Sequence, residues 1–222
     1  MSSTTPLILA SASPRRRELL SYLGIGFTVL PANVDESIPE TIDDSVAFAR
    51  ELAARKARWI AARHPAAAVL AADTIVVSEG HILGKPADAT EARTILQGLR
   101  NRPHEVTTAL ALAHGENLWQ EHATSHVYMR DYQDQEIDAY IAGGDPFDKA
   151  GSYAIQDRHF KPVKRYEGCY CNVVGLPLVL AQRVLERASL TILDLNPPAL
   201  PPECRLCPIQ DPSNISNPMI QP

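Results

Sequence analysis

Short apolar runs alternate with amphipathic stretches along most of the chain, and the pattern predicts strands interleaved with helices. Leu7-Ile8-Leu9 reads as a strand that turns straight into a helix at Ser13-Pro14, with Gly24 as its stop. Residues 27–30 form a second strand. Residues 44 to about 63 have helical spacing, with Val46, Ala49, Leu52, Ala53, Ala57 and Ile60 on or near one face. Residues 67–77 make an apolar strand interrupted by Asp73 and Thr74, and His81-Ile82-Leu83 is its hairpin partner across Glu79-Gly80. A helix over about 88–99 with Asp88 as cap, strands near 106–113 and 118–130, and a helix over about 134–141 follow. A polar loop, 145–157, leads to a strand near 172–174 and a closing helix from 177 to about 188. Adjacent strands with interspersed helices point to an α/β fold on a mixed sheet rather than a purely parallel one.

From Asn196 onward prolines crowd in among polar residues, a composition that forms neither a packed helix nor a central strand. The expected organisation is one folded domain over residues 1–190 and a proline-rich tail over 191–222. Cys204-Arg205-Leu206-Cys207 in that tail has zinc-like spacing, and Cys169 and Cys171 could complete a four-thiolate set, but no metal is assigned there. Four cysteines so placed do not resemble a secreted disulfide framework.

The 222 residues suffice for one sizeable core, and 45% hydrophobic with 21% charged residues is ordinary for a globular chain. A net charge of −5 argues against duplex nucleic acid as a partner. The sequence shows no membrane span and no signal peptide, so a cytoplasmic location without membrane contact is the expectation.

Against that acidic background, Arg15, Arg16 and Arg17 open the first helix, where the helix dipole disfavours cations by roughly 0.3–1 kcal/mol each. A bound anion gripped by the arginines, Ser11, Ser13 and the open N–H groups would compensate. Asp73 lies in the run Val69-Leu70-Ala71-Ala72-Asp73-Thr74-Ile75-Val76-Val77, where a carboxylate needs a partner, water or a metal. It suits a water activator or a metal ligand, or it is simply an acidic strand end. Asp35-Glu36 fits a metal site or a solvated loop, and Lys56 fits catalysis or a solvated helix face. Lys85 in Gly84-Lys85-Pro86 is carried on a loop whose glycine allows close approach of a ligand. Gln156, ending Asp148-Lys149-Ala150-Gly151-Ser152-Tyr153-Ala154-Ile155-Gln156, offers both a donor and an acceptor to a base edge. Together these parts suit attack on phosphorus. No P-loop and no dinucleotide fingerprint is present, which argues against an ATP motor or a Rossmann oxidoreductase.

In combination these motifs strongly resemble the Maf family of nucleoside triphosphate pyrophosphatases. The resemblance runs from Leu7 to about Glu186. It includes Ser11 to Arg16, Val34-Asp35-Glu36, Glu51 to Lys56, Ala72-Asp73-Thr74, Gly84-Lys85-Pro86, Asp148 to Gln156 and Val174-Gly175-Leu176-Pro177. It implies an elongated, two-lobed α/β fold with a deep central cleft, like that of inosine triphosphate pyrophosphatases. It also implies hydrolysis of a nucleoside triphosphate to the monophosphate and pyrophosphate with a divalent cation, Mg or Mn. On this resemblance Asp73 is the general base, with Lys56 and Lys85 as further catalytic positions. Glu36 and Asp73 hold the metal, and Ser11, Arg15 and Arg16 contact phosphate.

Arg15, Thr74 and Gln156 match the branch of that family acting on dTTP and UTP, which implies those substrates, modified uridine triphosphates and a house-cleaning role. A homodimer is an open expectation. The alternatives are a 7-methyl-GTP pyrophosphatase and a non-catalytic nucleotide-binding regulator of septum formation. Two positions depart from the family pattern: Asp157 stands where glycine commonly follows Gln156, and Cys171 precedes Asn172.

Overall fold

The computed structural model describes residues 5–38, 44–190, 201–204 and 219–220. Its strands are β1 (Leu7–Leu9), β2 (Phe27–Val29), β3 (Ala68–Ser78), β4 (His81–Leu83), β5 (Pro103–His114), β6 (Asn117–Met129), β7 (Val163–Glu167) and β8 (Met219–Ile220). They form one mixed sheet in the order β2-β1-β3-β5-β6-β7-β8, with β4 also on β3. β1 runs parallel to β2 and β3, and the other pairings are antiparallel. The helices are α1 (Pro14–Ser21), α2 (Ser45–Ala61), α3 (Ala89–Leu99), α4 (Asp134–Ala142), α5 (Tyr170–Val174) and α6 (Leu178–Arg187).

The central strand β3 creates the opening on which the rest is arranged. One of its edges carries β5 continuously, from Val69 opposite Ala113 to Val77 opposite Glu105. The other edge carries β1 only as far as Leu70 and takes up β4 only from Val76. Among the described residues no strand pairs along that edge between Ala71 and Ile75. Successive side chains point to opposite faces of a strand, so a gap at the edge is a place where both faces are within reach.

Helix formation follows from local chemistry. The Ser13 hydroxyl accepts from the Arg16 N–H and Pro14 takes the first helical position of α1. Asp44 caps α2 through the Ala47 N–H, and Asp88 caps α3 through the Glu91 N–H, both at 2.9 Å. Helices α1 and α6 bury Leu19, Leu20, Leu178 and Leu185 on the sheet face that presents Ala68, Leu70 and Ala72. Helix α2 covers the opposite face, with Ala49, Ala53, Ala57 and Ile60 against Val69, Ala71, Ala109 and Ala111. These small residues bring the helix axis close to the sheet. A third cluster lies further along the same strands, with Val76, Val106, Val127 and Met129 beneath Leu96 of α3 and Ile137 of α4. This is the α/β fold on a mixed sheet with flanking helices that the sequence predicts.

Two elements differ from expectation. Residues 170–174 form the helix α5 rather than a strand: the Cys169 sulfur accepts from the Asn172 N–H at its start, and Gly175 ends it in the left-handed region. The β-branched Val173 and Val174 favoured the strand reading. The fifth antiparallel strand, β7, was hidden by its charged Lys164, Arg165 and Glu167. Cys171 is disulfide-bonded to Cys204, which fastens the 3-10 turn Pro202–Cys204 to α5. With Cys171 so committed, the four-thiolate set does not form; Cys207 and most of the tail lie outside the described residues. No helix among the described residues is long and apolar enough to cross a membrane.

One buried group ties this fold to pH. His104 on β5 is 3% exposed, and its Nε2 lies 2.7 Å from the Tyr153 hydroxyl. Nδ1 has no hydrogen-bond partner among the described residues. The ring nitrogen and the Tyr153 hydroxyl share one hydrogen bond, and the neutral imidazole needs no second partner as a cation would. Burial pushes the imidazole pKa from 6.5 down to about 4. Between these values the unfolded chain takes up a proton that the folded chain refuses. The stabilisation is therefore complete above pH 6.5 and lost as pH falls to 4, a change of about 3 kcal/mol. Urea unfolding at pH 7.5 and 4.5 should show H104Q losing about 2–3 kcal/mol less than wild type over this interval. Equal losses would show that His104 is not the group responsible.

Candidate active site

Lys56 and Asp73 meet at the gap in the β3 edge. Lys56 lies within the apolar stripe of α2, among Leu52, Ala53 and Ile60, and is 6% exposed, as is Asp73. Its Nζ donates to Asp73 Oδ1 at 2.6 Å and lies 3.0 Å from Glu36 Oε1. The solvated-face reading of Lys56 is therefore incorrect, because its charge is buried and paired. Asp35, next to Glu36, builds the loop instead: its carboxylate accepts from the Ser37 N–H and hydroxyl, which hold its pKa below the usual range. Arg55 donates to the Asp35 carbonyl at 2.9 Å and anchors that loop to α2.

On the other face of β3, Thr74 meets the start of α1. Arg16 donates through Nη2 to the Thr74 hydroxyl and through Nε to the Gly175 carbonyl, each at 2.9 Å, and through Nη1 to Ser11 at 3.3 Å. Burial lowers the Arg16 pKa and the negative Asp73 and Glu36 raise it, and the guanidinium stays cationic. Three of its five N–H groups are thus committed, leaving one on each terminal nitrogen. Gly175 has φ +119°, and a Cβ there would stand 3.2 Å from Thr74 Oγ1 and 3.4 Å from Arg16 Nε. Only glycine suits both that backbone and that close approach.

Arg15 reaches across to the 145–156 loop and pairs with Asp148 at 2.9 Å. Asp148 also receives Lys149 at 2.6 Å. Burial raises the Asp148 carboxyl pKa, but the bonds from Lys149 and Arg15 outweigh it and hold it below the usual range. The anion expected at the start of α1 is thus partly supplied by the protein itself. Gly151 donates to the Gly84 carbonyl and straps this loop to the one bearing Lys85. Gly151 has φ +72°, with Val76 3.2 Å from where a Cβ would be.

The resulting cleft has two compartments. One is polar and cationic, with Ser11, Ser13, Arg15, Arg16, Lys56 and Lys85 around it. The other shares Arg15, Arg16, Glu36, Lys56 and Lys85 with the first and extends past Asp73, Thr74 and Gln156 to Val76, Val106, Tyr153, Ile155, Val173 and Val174. Asp73 lies in this second part, beside Lys56. Ser11, Arg15, Arg16, Glu36, Lys56, Asp73, Thr74, Lys85 and Gln156 are therefore brought to one cleft, and Asp35 and Arg17 are not part of its lining. The unusual Asp157 is not part of the lining: its carboxylate accepts from the His159 and Phe160 N–H groups and shapes the loop behind Gln156.

The profile of Maf-like proteins matches residues 6–188. The chain belongs to the Maf family. Among its relatives, a dTTP/UTP pyrophosphatase of Thermomicrobium roseum is 52% identical and covers 91% of this chain and 93% of its own. Proteins of the same name from Myxococcus xanthus and Halalkalibacterium halodurans are 47% and 45% identical, over 85% and 82% of this chain and 95% of each relative. The Thermomicrobium match covers so much of the chain that it takes in part of the segment after residue 190, beyond the motifs that carried the resemblance.

Sequence reasoning missed Thr108 and Asn172, two buried polar residues behind Thr74. Neither belongs to a recognisable motif, and only their burial without charge marks them. It also missed Tyr153 as a wall of the Maf cleft.

The Gly175 geometry is directly testable. G175A should lose about 1–3 kcal/mol in urea unfolding and bind inorganic tripolyphosphate more weakly by calorimetry, because both the strained backbone and Arg16 must move. Wild-type stability and affinity would show that Arg16 is not held by this contact.

Proposed function

We propose that this cleft hydrolyses dTTP and UTP, and modified uridine triphosphates of the same edge pattern, to the monophosphate and pyrophosphate. The observation that carries the reading is the buried Asp73–Lys56 pair in a cleft that brings Arg15, Arg16 and Lys85 together with Val76, Val106, Val173 and Val174. The names of the relatives support the same substrates.

In this reading the triphosphate lies along the Arg15, Arg16 and Lys85 side chains, Ser11 and the open Arg15 N–H, and the base along the valines with Gln156 at its polar edge. Asp73 Oδ1 is fixed by Lys56, which leaves the second carboxylate oxygen to take a proton from water. The water oxygen bonds to phosphorus at the α–β anhydride, the bridging P–O bond breaks, and its electrons leave with pyrophosphate. Lys56 and Lys85 offset the charge that develops on the phosphoryl oxygens.

Asp73 and Glu36 are hard oxygen donors of the kind Mg or Mn takes. No group of three His, Cys, Asp or Glu side chains gathers among the described residues, so such an ion would complete its shell with substrate oxygens and water. When bound it would supply further charge neutralisation at the phosphates. House-cleaning of noncanonical nucleotides is the role this activity implies, and the cytoplasm the place.

Pyrophosphate release from dTTP, UTP, CTP, GTP and 7-methyl-GTP, with Mg or Mn, tests the reading. dTTP and UTP should be preferred. Activity on 7-methyl-GTP alone would overturn the base assignment, and tight binding without release would make the protein a nucleotide-binding regulator. D73N, which keeps the shape but cannot accept the proton, should lose about 10²–10⁴-fold in kcat while its thermal unfolding stays cooperative. Near-normal turnover would remove Asp73 from the mechanism.

A further inference from the structure

Behind the cleft lies a buried polar cluster that the proposed chemistry does not use. Thr108, Ser125 and Asn172 are each fully buried. Asn172 accepts from the Thr108 N–H at 2.9 Å through its side-chain oxygen and donates to the Val106 carbonyl and the Ser125 hydroxyl, both at 2.8 Å. Thr108 Oγ1 lies 2.8 Å from the Asn172 backbone carbonyl and 2.9 Å from Thr74 Oγ1.

Counting protons fixes the direction of every bond in this chain. A carbonyl can only accept, so the Thr108 hydroxyl donates its single proton to Asn172. Thr108 has none left for Thr74, and Thr74 must therefore donate to Thr108. Thr74 in turn accepts from Arg16 Nη2. The donors run one way, from the guanidinium through Thr74 and Thr108 to the Asn172 carbonyl, and each bond polarises the next.

We propose that Thr108, held by Asn172, is a positioning residue that sets base specificity by taking the proton of Thr74, so that Thr74 presents only a lone pair to the base. The proposal rests on the reading of the cleft as a dTTP and UTP site. In the sheet register Thr74 lies opposite Thr108 and Val76 opposite Val106, and Thr74, Val76 and Val106 line the same part of the cleft. Uracil and thymine carry a proton on N3, which finds that acceptor. Cytosine has a lone pair on N3 and meets another lone pair. Gln156 cannot make this distinction alone, because its exposed amide can turn to offer either group. A hydroxyl whose proton is already committed cannot turn.

The test is kcat/KM for UTP and CTP in wild type, T108V, T108S, T74V and the double variant T74V/T108V. T108V should lower the UTP-to-CTP ratio by about tenfold or more, through a higher KM for UTP and a lower one for CTP. T108S should restore the wild-type ratio within about twofold, and adding T108V to T74V should change it by no more than about twofold. A merely structural role for Thr108 would alter stability without moving the ratio. A wild-type ratio in T108V, or the same drop with and without Thr74, overturns the proposal. T108A serves if T108V does not fold. The ratio is also read by equilibrium binding of UTP and CTP: a wild type that binds UTP without cleaving it overturns the hydrolase reading alone, and the T108V binding ratio still decides the relay.

Discussion

A carboxylate in the central strand of a sheet must be partnered, and the Asp73–Lys56 pair meets that constraint here. Both groups are nearly inaccessible, and transferring each from water costs several kcal/mol before their attraction is counted. Two apolar side chains of similar size would stabilise the contact between α2 and β3 at least as well. The pair is therefore poorly explained as a device for stability. Its place at the break between β1 and β4 explains it better, since that is where a buried charge can meet something entering from outside.

The same break accounts for how residues adjacent in sequence come to serve one cleft. Asp73 points toward α2 and Thr74 toward α1 and α5, on opposite faces of β3. In a fully paired strand these faces would be sealed from each other. With the edge open from Ala71 to Ile75, the two side chains flank a single gap. The cationic start of α1 enters it from one face, and Lys56 and Glu36 from the other.

Much of this was legible in the sequence, and the failures have identifiable causes. The chain order of strands and helices followed from periodicity, and the caps Ser13 and Asp88 from residue type. The stripe Ala49, Leu52, Ala53, Ala57 and Ile60 has a position at 56, and Lys56 was set apart from it only because it is charged. Residues 170–174 misled because Val173 and Val174 favour strands, whereas a cysteine cap and a left-handed glycine decide the helix. β7 alternates charges over a half-buried strand, so its apolar signal is faint. The Cys171–Cys204 bond joins residues 33 apart, and the Arg16–Gly175 bond residues 159 apart. Such closures belong to the tertiary fold, and local pattern carries no trace of them.

The ion pairs of the cleft differ in the energy needed to open them, and that difference orders events on the proposed reading. Asp148 is 57% exposed, and its pair with Arg15 is of the solvated kind that contributes about 0–1 kcal/mol. A triphosphate can displace it at little cost, freeing Arg15 for phosphate while Asp148 keeps Lys149. Separating Lys56 from Asp73 would leave a buried charge without a partner, at about 3–5 kcal/mol. Substrate entry therefore opens the outer pair and leaves the inner one intact. The loop carrying Asp148 also carries Gln156 and is strapped to Gly84, next to Lys85. Loss of the Arg15 contact thus frees only the exposed Asp148 end of that loop, while the Gly151 strap, the buried Tyr153 and Asp73 stay in place. The cleft can then adjust around the nucleotide without disturbing the group that activates water.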